Sequence, residues 1–152
     1  MTDLPLLNLR APLTVRHKDT GRVLLIAPLS SALARSHDTV DYEGEELSIP
    51  HLCYETVEYT SLAGADLRGL FLYNTVFAHV RLDGADFTGA HLRDTVFLDC
   101  TRLGQAIGLD RILHDGPSCL DARTLRACGA LLPKPFLEGA GYRTEEVQAF
   151  RA

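Results

Sequence analysis

The 152-residue chain has no run of about twenty apolar residues and no basic, apolar, small-residue leader at its start. No membrane-spanning helix is expected, no membrane is among its expected partners, and a soluble, cytoplasmic protein is. Metal-type spacing is also missing: the six histidines form no HxH or HExxH, and Cys53, Cys100, Cys119 and Cys128 form no Cys-x-x-Cys. The cysteines read as plain thiols of a reducing compartment, with no metal site and no cofactor. No nucleophile elbow is present, so His114, Asp115 and Ser118, although close in sequence, read as loop and cap residues and not as a hydrolytic triad. A basic excess is lacking too. The net charge is −5, and residues 45–100 alone hold nine acidic and three basic groups. A nucleic-acid binder needs the opposite sign there, so direct DNA or RNA binding is not expected.

What is present is a period that fits neither an α-helix nor a flat strand. A large apolar residue recurs at every fifth position: Leu47, Leu52, Val57, Leu62, Leu67, Leu72, Phe77, Leu82, Phe87, Leu92 and Phe97, with Ile107 expected to rejoin after Arg102 breaks step. A longer repeat lies over the first. Residues 61–80 and 81–100 are identical at nine of twenty positions, among them Gly64/Gly84, Ala65/Ala85, Asp66/Asp86, Val76/Val96 and Phe77/Phe97. Four fives make twenty, so the expected object is a coil with four short sides stacking on copies of itself. Residues two apart on an extended side share a face, which turns Ala65 and Leu67 inward and Asp66 outward. The small residues Ala65, Thr75, Ala85, Ala90, Thr95 and Cys100 suit an interior filled by Leu and Phe. Gly44, Gly64, Gly84 and Gly104 are expected at one corner.

Segments such as Ala65-Asp66-Leu67-Arg68-Gly69 and Ala85-Asp86-Phe87-Thr88-Gly89 resemble the pentapeptide repeats of bacterial proteins, Ala-(Asp/Asn)-(Leu/Phe)-x-x. The resemblance implies an all-β core, a right-handed quadrilateral parallel β-helix of about three to four coils. Leu70, Val80, Glu45, Pro50 and Glu55 depart from it, standing where the family prefers Ala or Thr.

Stacked coils expose backbone and apolar side chains at both ends, and repeat proteins cover them with atypical units. Two apolar-leaning runs around Asp19-Thr20-Gly21 predict an N-terminal β-hairpin cap over residues 13–27. A short helix is expected within 29–37. Beyond Leu109 the expectations are a loop at His114–Pro117, a helix starting at Ser118 with Gly129 beyond its end, and a second helix from Thr144, its hydroxyl as cap. The apolar tail between them is read as an α-helical C-terminal cap. The domain reading is 1–41 for the hairpin and cap, 42–109 for the β-helix and 110–152 for the cap or assembly module. Gly116-Pro117-Ser118, Thr124-Leu125, Pro135-x-Leu137 and Gly139-x-Gly141 resemble a segment that follows pentapeptide repeats in some bacterial proteins carrying a TIR-type signalling domain. That resemblance implies a module of bacterial signalling or conflict systems.

The functional expectation is a non-enzymatic scaffold or protein-interaction module with an unidentified protein partner. The alternative is a DNA-mimic inhibitor of a topoisomerase or other DNA-processing enzyme, its mimicry carried by the acidic column Glu46, Asp66 and Asp86. Stacked like charges are mildly unfavourable, so that column is the candidate interaction surface. The competing reading of the same column is local hydrogen bonding at a corner. His79 and Asp99, one coil apart, are expected to share a surface hydrogen bond. Leu131, Leu132, Phe136 and Leu137 are the candidate dimer or cap surface, homodimerisation being one expectation for them.

Overall fold

A computed structural model describes residues 13–27 and 51–151. Gly44, Glu46, the proposed helix within 29–37 and Leu47, the first position of the ladder, lie outside the described residues. The chain from residue 51 winds as a parallel β-solenoid of about three turns. Its strands are β3 (Thr56–Glu58), β4 (Phe71–Tyr73), β5 (Val76–Ala78), β6 (His91–Arg93), β7 (Val96–Leu98), β8 (Leu113–His114) and β9 (Cys119–Leu120). Strands β3-β5-β7-β9 form one parallel ladder and β4-β6-β8 a second. Isolated bridges Ser61↔Arg81 and Asp66↔Asp86 mark the remaining two sides. Val57 pairs with Phe77 and Phe77 with Phe97, twenty residues apart each time.

Five residues make one side because each ends in a residue with positive φ. Tyr54, Tyr59, Gly64, Gly69, Asn74, His79, Gly84, Gly89, Asp94 and Asp99 all adopt it, at intervals of five. A left-handed residue turns an extended stretch through a corner, and only glycine does so without steric cost. Two corners use glycine and two do not. Glycine at the corner expected from the sequence holds for Gly64 and Gly84 but not for Gly104. That residue lies in a 3-10 turn, Leu103–Gln105, where a Cβ would come within 2.8 Å of Cys128 Cβ and 2.9 Å of Leu131 Cβ.

Inside, the ladder from Leu52 to Phe97 is fully shielded from solvent, as are Ala65, Thr75, Ala85, Ala90, Thr95 and Cys100. The two threonines occupy the interior because their hydroxyls donate to carbonyls, Thr75 to Leu52 O at 2.7 Å and Thr95 to Leu72 O at 2.6 Å. Phe77 stacks on Phe97 with centroids 5.4 Å apart, and Phe97 meets Phe136 edge-on at 6.3 Å.

The register after Phe97 corrects the sequence reading. The 3-10 turn lengthens the coil, so Leu103 and not Arg102 fills the inward position. Ile107 does not rejoin the column: it pairs with Asp86, a spacing of twenty-one, and is 45% exposed. Leu109 turns inward in its place. The spacing grows to twenty-two between His91 and Leu113 and to twenty-three between Val96 and Cys119. The coil therefore does not end near Leu109, and His114 lies on a strand instead of in a loop.

The N-terminal hairpin pairs β1 (Leu13–Arg16) with β2 (Val23–Ala27) antiparallel, Gly21 taking positive φ in the turn. It joins the solenoid through an antiparallel bridge, His17↔Ala65, with the Asp66 N–H donating to Arg16 O and the Lys18 N–H to Gly64 O, both 2.8 Å. Three helices follow the last strand: α1 (Ala122–Cys128), α2 (Lys134–Ala140) and α3 (Thr144–Arg151). Asp121, not Ser118, caps α1, accepting from the Thr124 N–H at 3.0 Å. At α3 the cap is made by Glu146, whose carboxylate accepts from the Arg143 N–H at 2.9 Å, while the Thr144 hydroxyl reaches Glu138. Among the described residues no helix is long and apolar enough to cross a membrane.

Candidate interaction surface

Each outward column of the solenoid sits on a side whose inward residue is pinned by the core, so its chemistry is set by which residues stack there. Asp66 and Asp86 do stack, as the sequence reading placed them. Their carboxylates are engaged locally. Asp66 takes two bonds from the Arg68 guanidinium, at 2.8 and 3.0 Å, which hold its carboxyl below the usual carboxylate range. Asp86 accepts from the Thr88 N–H at 3.0 Å and from the Thr88 hydroxyl at 2.6 Å. Both are turns closed by a side-chain oxygen two residues back. The column continues as Ile107 on one side, and on the other the edge at Asp66 pairs with Arg16 of the hairpin. The next side repeats the pattern, Arg81 bonding Asp83 at 2.9 Å and lowering its pKa. These two sides are charged but largely neutralised from within.

The side formed by β4-β6-β8 is aromatic and internally bonded. Phe71 and His91 stack at 4.1 Å, and His91 Nδ1 lies 2.9 Å from Asp115 Oδ2. The buried Tyr73 hydroxyl donates to the same oxygen; burial, with the carboxylate beside it, raises the phenol pKa. The Arg93 guanidinium lies 4.2 Å over the Tyr73 ring. Asp115 thus serves His91 and Tyr73 and not His114, whose two buried ring nitrogens have no hydrogen-bond partner among the described residues; neither does Ser118 Oγ. The three residues that could suggest a triad are not assembled into one. Burial holds the His114 imidazole below its ordinary pKa, against the pull of Asp115, and the ring edge faces Phe136 at 5.6 Å.

The β3-β5-β7-β9 side differs. Alternation about the inward Val57, Phe77 and Phe97 turns Val76 and Val96 outward in one column, and Ala78 and Leu98 in the next. Sequence reasoning missed these, although the signal was available: outward positions carry Val, Ala and Leu here where the charged sides carry Ser, Arg, Asp and Thr. At the adjoining corner Tyr59 stacks on His79 at 4.5 Å, and His79 Nδ1 lies 2.9 Å from Asp99 Oδ2, the pair expected from the sequence.

In the tail, Leu132, Phe136 and Leu137 are fully buried in the same core cluster as Phe97 and Leu103, while Leu131 is 61% exposed. Cys53 and Cys100 are buried thiols pushed by desolvation up to about 12, and Cys128 is raised by the same cause. Cys119 is exposed. No group of three or more His, Cys, Asp or Glu among the described residues is placed to hold a metal ion.

No curated protein and no solved structure matches the chain. Residues 59–97 match the family model for pentapeptide repeats, in eight copies, and this stretch lies within the sides and corners of the solenoid just described.

Proposed function

We propose that the chain is a non-enzymatic protein-interaction module, a scaffold of bacterial, cytoplasmic type. The observation that carries this reading is the filled interior: every buried inward position from Leu52 to Phe97 is apolar, except for Glu55 and the two threonines bonded to carbonyls. Several groups able to do chemistry are spent on structure, with the Cys53 and Cys100 thiols held protonated by burial and Asp115 bonded to Tyr73 and His91. Folds of this kind act through the surfaces of their sides.

A role in bacterial signalling or conflict systems belongs to the same proposal, supported by the C-terminal sequence resemblance. DNA mimicry is the weaker reading, because Arg68 offsets Asp66 and Ile107 interrupts the column. Affinity capture from the native host tests the proposal, with a stoichiometric protein partner as the expected result. A supercoiling assay with micromolar protein separates the alternatives: no inhibition is expected, and inhibition would favour the mimic.

A further inference from the structure

We propose that the outward side of β3-β5-β7-β9 docks a basic amphipathic helix presented by a protein partner. This rests on the interaction-module reading and gives that reading its surface. On the other three sides charged outward groups pair within the chain, Arg68 with Asp66, Arg81 with Asp83 and His91 with Asp115, and the exposed Ile107 and Leu113 stack on Asp86 and His91 and not on another aliphatic residue. Here the outward residues of β5 and β7 are aliphatic, following Thr56 and Glu58 on β3. Leu98 is 37% exposed, Val76 and Val96 beside it are half-buried, Ala78 is buried, and the exposed Cys119 continues the strip. Contiguous apolar surface of this kind is a mark of interaction sites. Three strands, β5, β7 and β9, at about 4.8 Å spacing give a strip about 10 Å long. About seven helical residues at 1.5 Å each cover that length.

The rim specifies the partner's charge. Glu58 precedes Ala78 and Leu98 in their column, Asp94 and Asp99 end the two corners beside Leu98, and Asp121 lies beyond Leu120. Of these four acids Asp121 is spent capping α1, and Asp99 lies 2.9 Å from His79 Nδ1 and 3.7 Å from Arg123. Glu58 and Asp94 form no ion pair among the described residues. An aliphatic strip edged with carboxylates complements a helix whose apolar stripe is flanked by Lys and Arg. Tyr59, 75% exposed, adds an aromatic face at the edge for such a cation. A second copy fits poorly, since its own acidic rim would face this one.

The test uses the full chain and a fluorescent fourteen-residue Leu-Lys amphipathic helical peptide, with its Leu-Glu counterpart as control, read by anisotropy. The Lys peptide binds, and Leu98→Arg weakens it at least tenfold. The uncharged Leu98→Ser weakens it several-fold, so the result does not depend on the added charge. Gln148→Arg on α3, which adds the same charge elsewhere, changes it less than twofold. Thermal melts confirm that each variant is folded. Equal affinity for the Glu peptide, or equal losses at residues 98 and 148, would overturn the proposal, as would a homodimer dissociated by Leu98→Arg in sedimentation. A host partner whose capture survives Leu98→Arg would overturn this face and leave the interaction reading standing.

Discussion

Phe97 and Leu98 are neighbours on one strand, and the fold assigns them opposite fates. Phe97 has no exposure, stacks on Phe77 and meets Phe87 and Phe136 edge-on, at 6.5 and 6.3 Å. Truncating a buried Phe to Ala costs about 3–5 kcal/mol, depending on how far the site collapses. Collapse is resisted here because the coil spacing is held by main-chain bonds, Val96 N–H to Thr75 O and Cys119 N–H to Thr95 O, each 2.9 Å. Phe97→Ala is therefore expected to cost about 4.5 kcal/mol, toward the upper part of that range. Leu98→Ala, on the outside, is expected to cost about 0.5 kcal/mol. With a urea slope of about 2 kcal/mol per molar, the unfolding midpoints followed by circular dichroism drop by about 2 M and about 0.3 M. Comparable shifts for the two, or a loss below about 1 kcal/mol for Phe97→Ala, would refute the inward and outward assignment of the whole ladder.

Three further perturbations probe the corners, the lower end of the pH range and the thiols. Gly64 and Gly69 both have positive φ, but a Cβ at Gly64 would overlap the His17 ring whereas Gly69 has open space. Gly69→Ala is expected to cost about 1 kcal/mol of left-handed strain, and Gly64→Ala measurably more, with the excess relieved by His17→Ala in a double-mutant cycle. His114 is held neutral by burial, so its folded pKa lies below the unfolded one. As pH falls through the ordinary value of about 6.5 the unfolded chain takes up the proton first, and stability present above that pH is lost below it. Unfolding free energy should thus fall between about pH 7.5 and 5.5 in the wild type and fall less in His114→Leu, as measured by urea titration at each pH. In native protein a thiol reagent should react promptly at Cys119, while buried Cys53, Cys100 and Cys128 react only after unfolding; mass spectrometry of labelled peptides checks this.

The sequence carried the coil but not its last turn. Identical residues twenty apart, such as Phe77 and Phe97, must occupy equivalent layers once a five-residue side is granted, so the inward column from Leu52 to Phe97 was legible. The stretch beyond Phe97 was not, because a 3-10 turn adds residues without leaving a hydrophobic gap. Leu103 and Leu109 take the inward positions where the period pointed to Arg102 and Ile107. The helix starts erred for a related reason. Ser118 has capping spacing, but Cys119 and Leu120 after it are held extended in the ladder on β7, so the helix starts only after Asp121, which caps it. The acidic column was legible as a stack. Its neutralisation was not, because the bond from Arg68 to Asp66 depends on the turn between them.

The pairing of one coil with the next is tested most directly by through-hydrogen-bond scalar couplings in NMR. The Leu67 N–H should couple to the carbonyl of Asp86, and the Asp86 N–H to that of Ala65, the two bonds measuring 2.9 Å each. Couplings from these amides to carbonyls elsewhere in the chain would contradict the stacked coil.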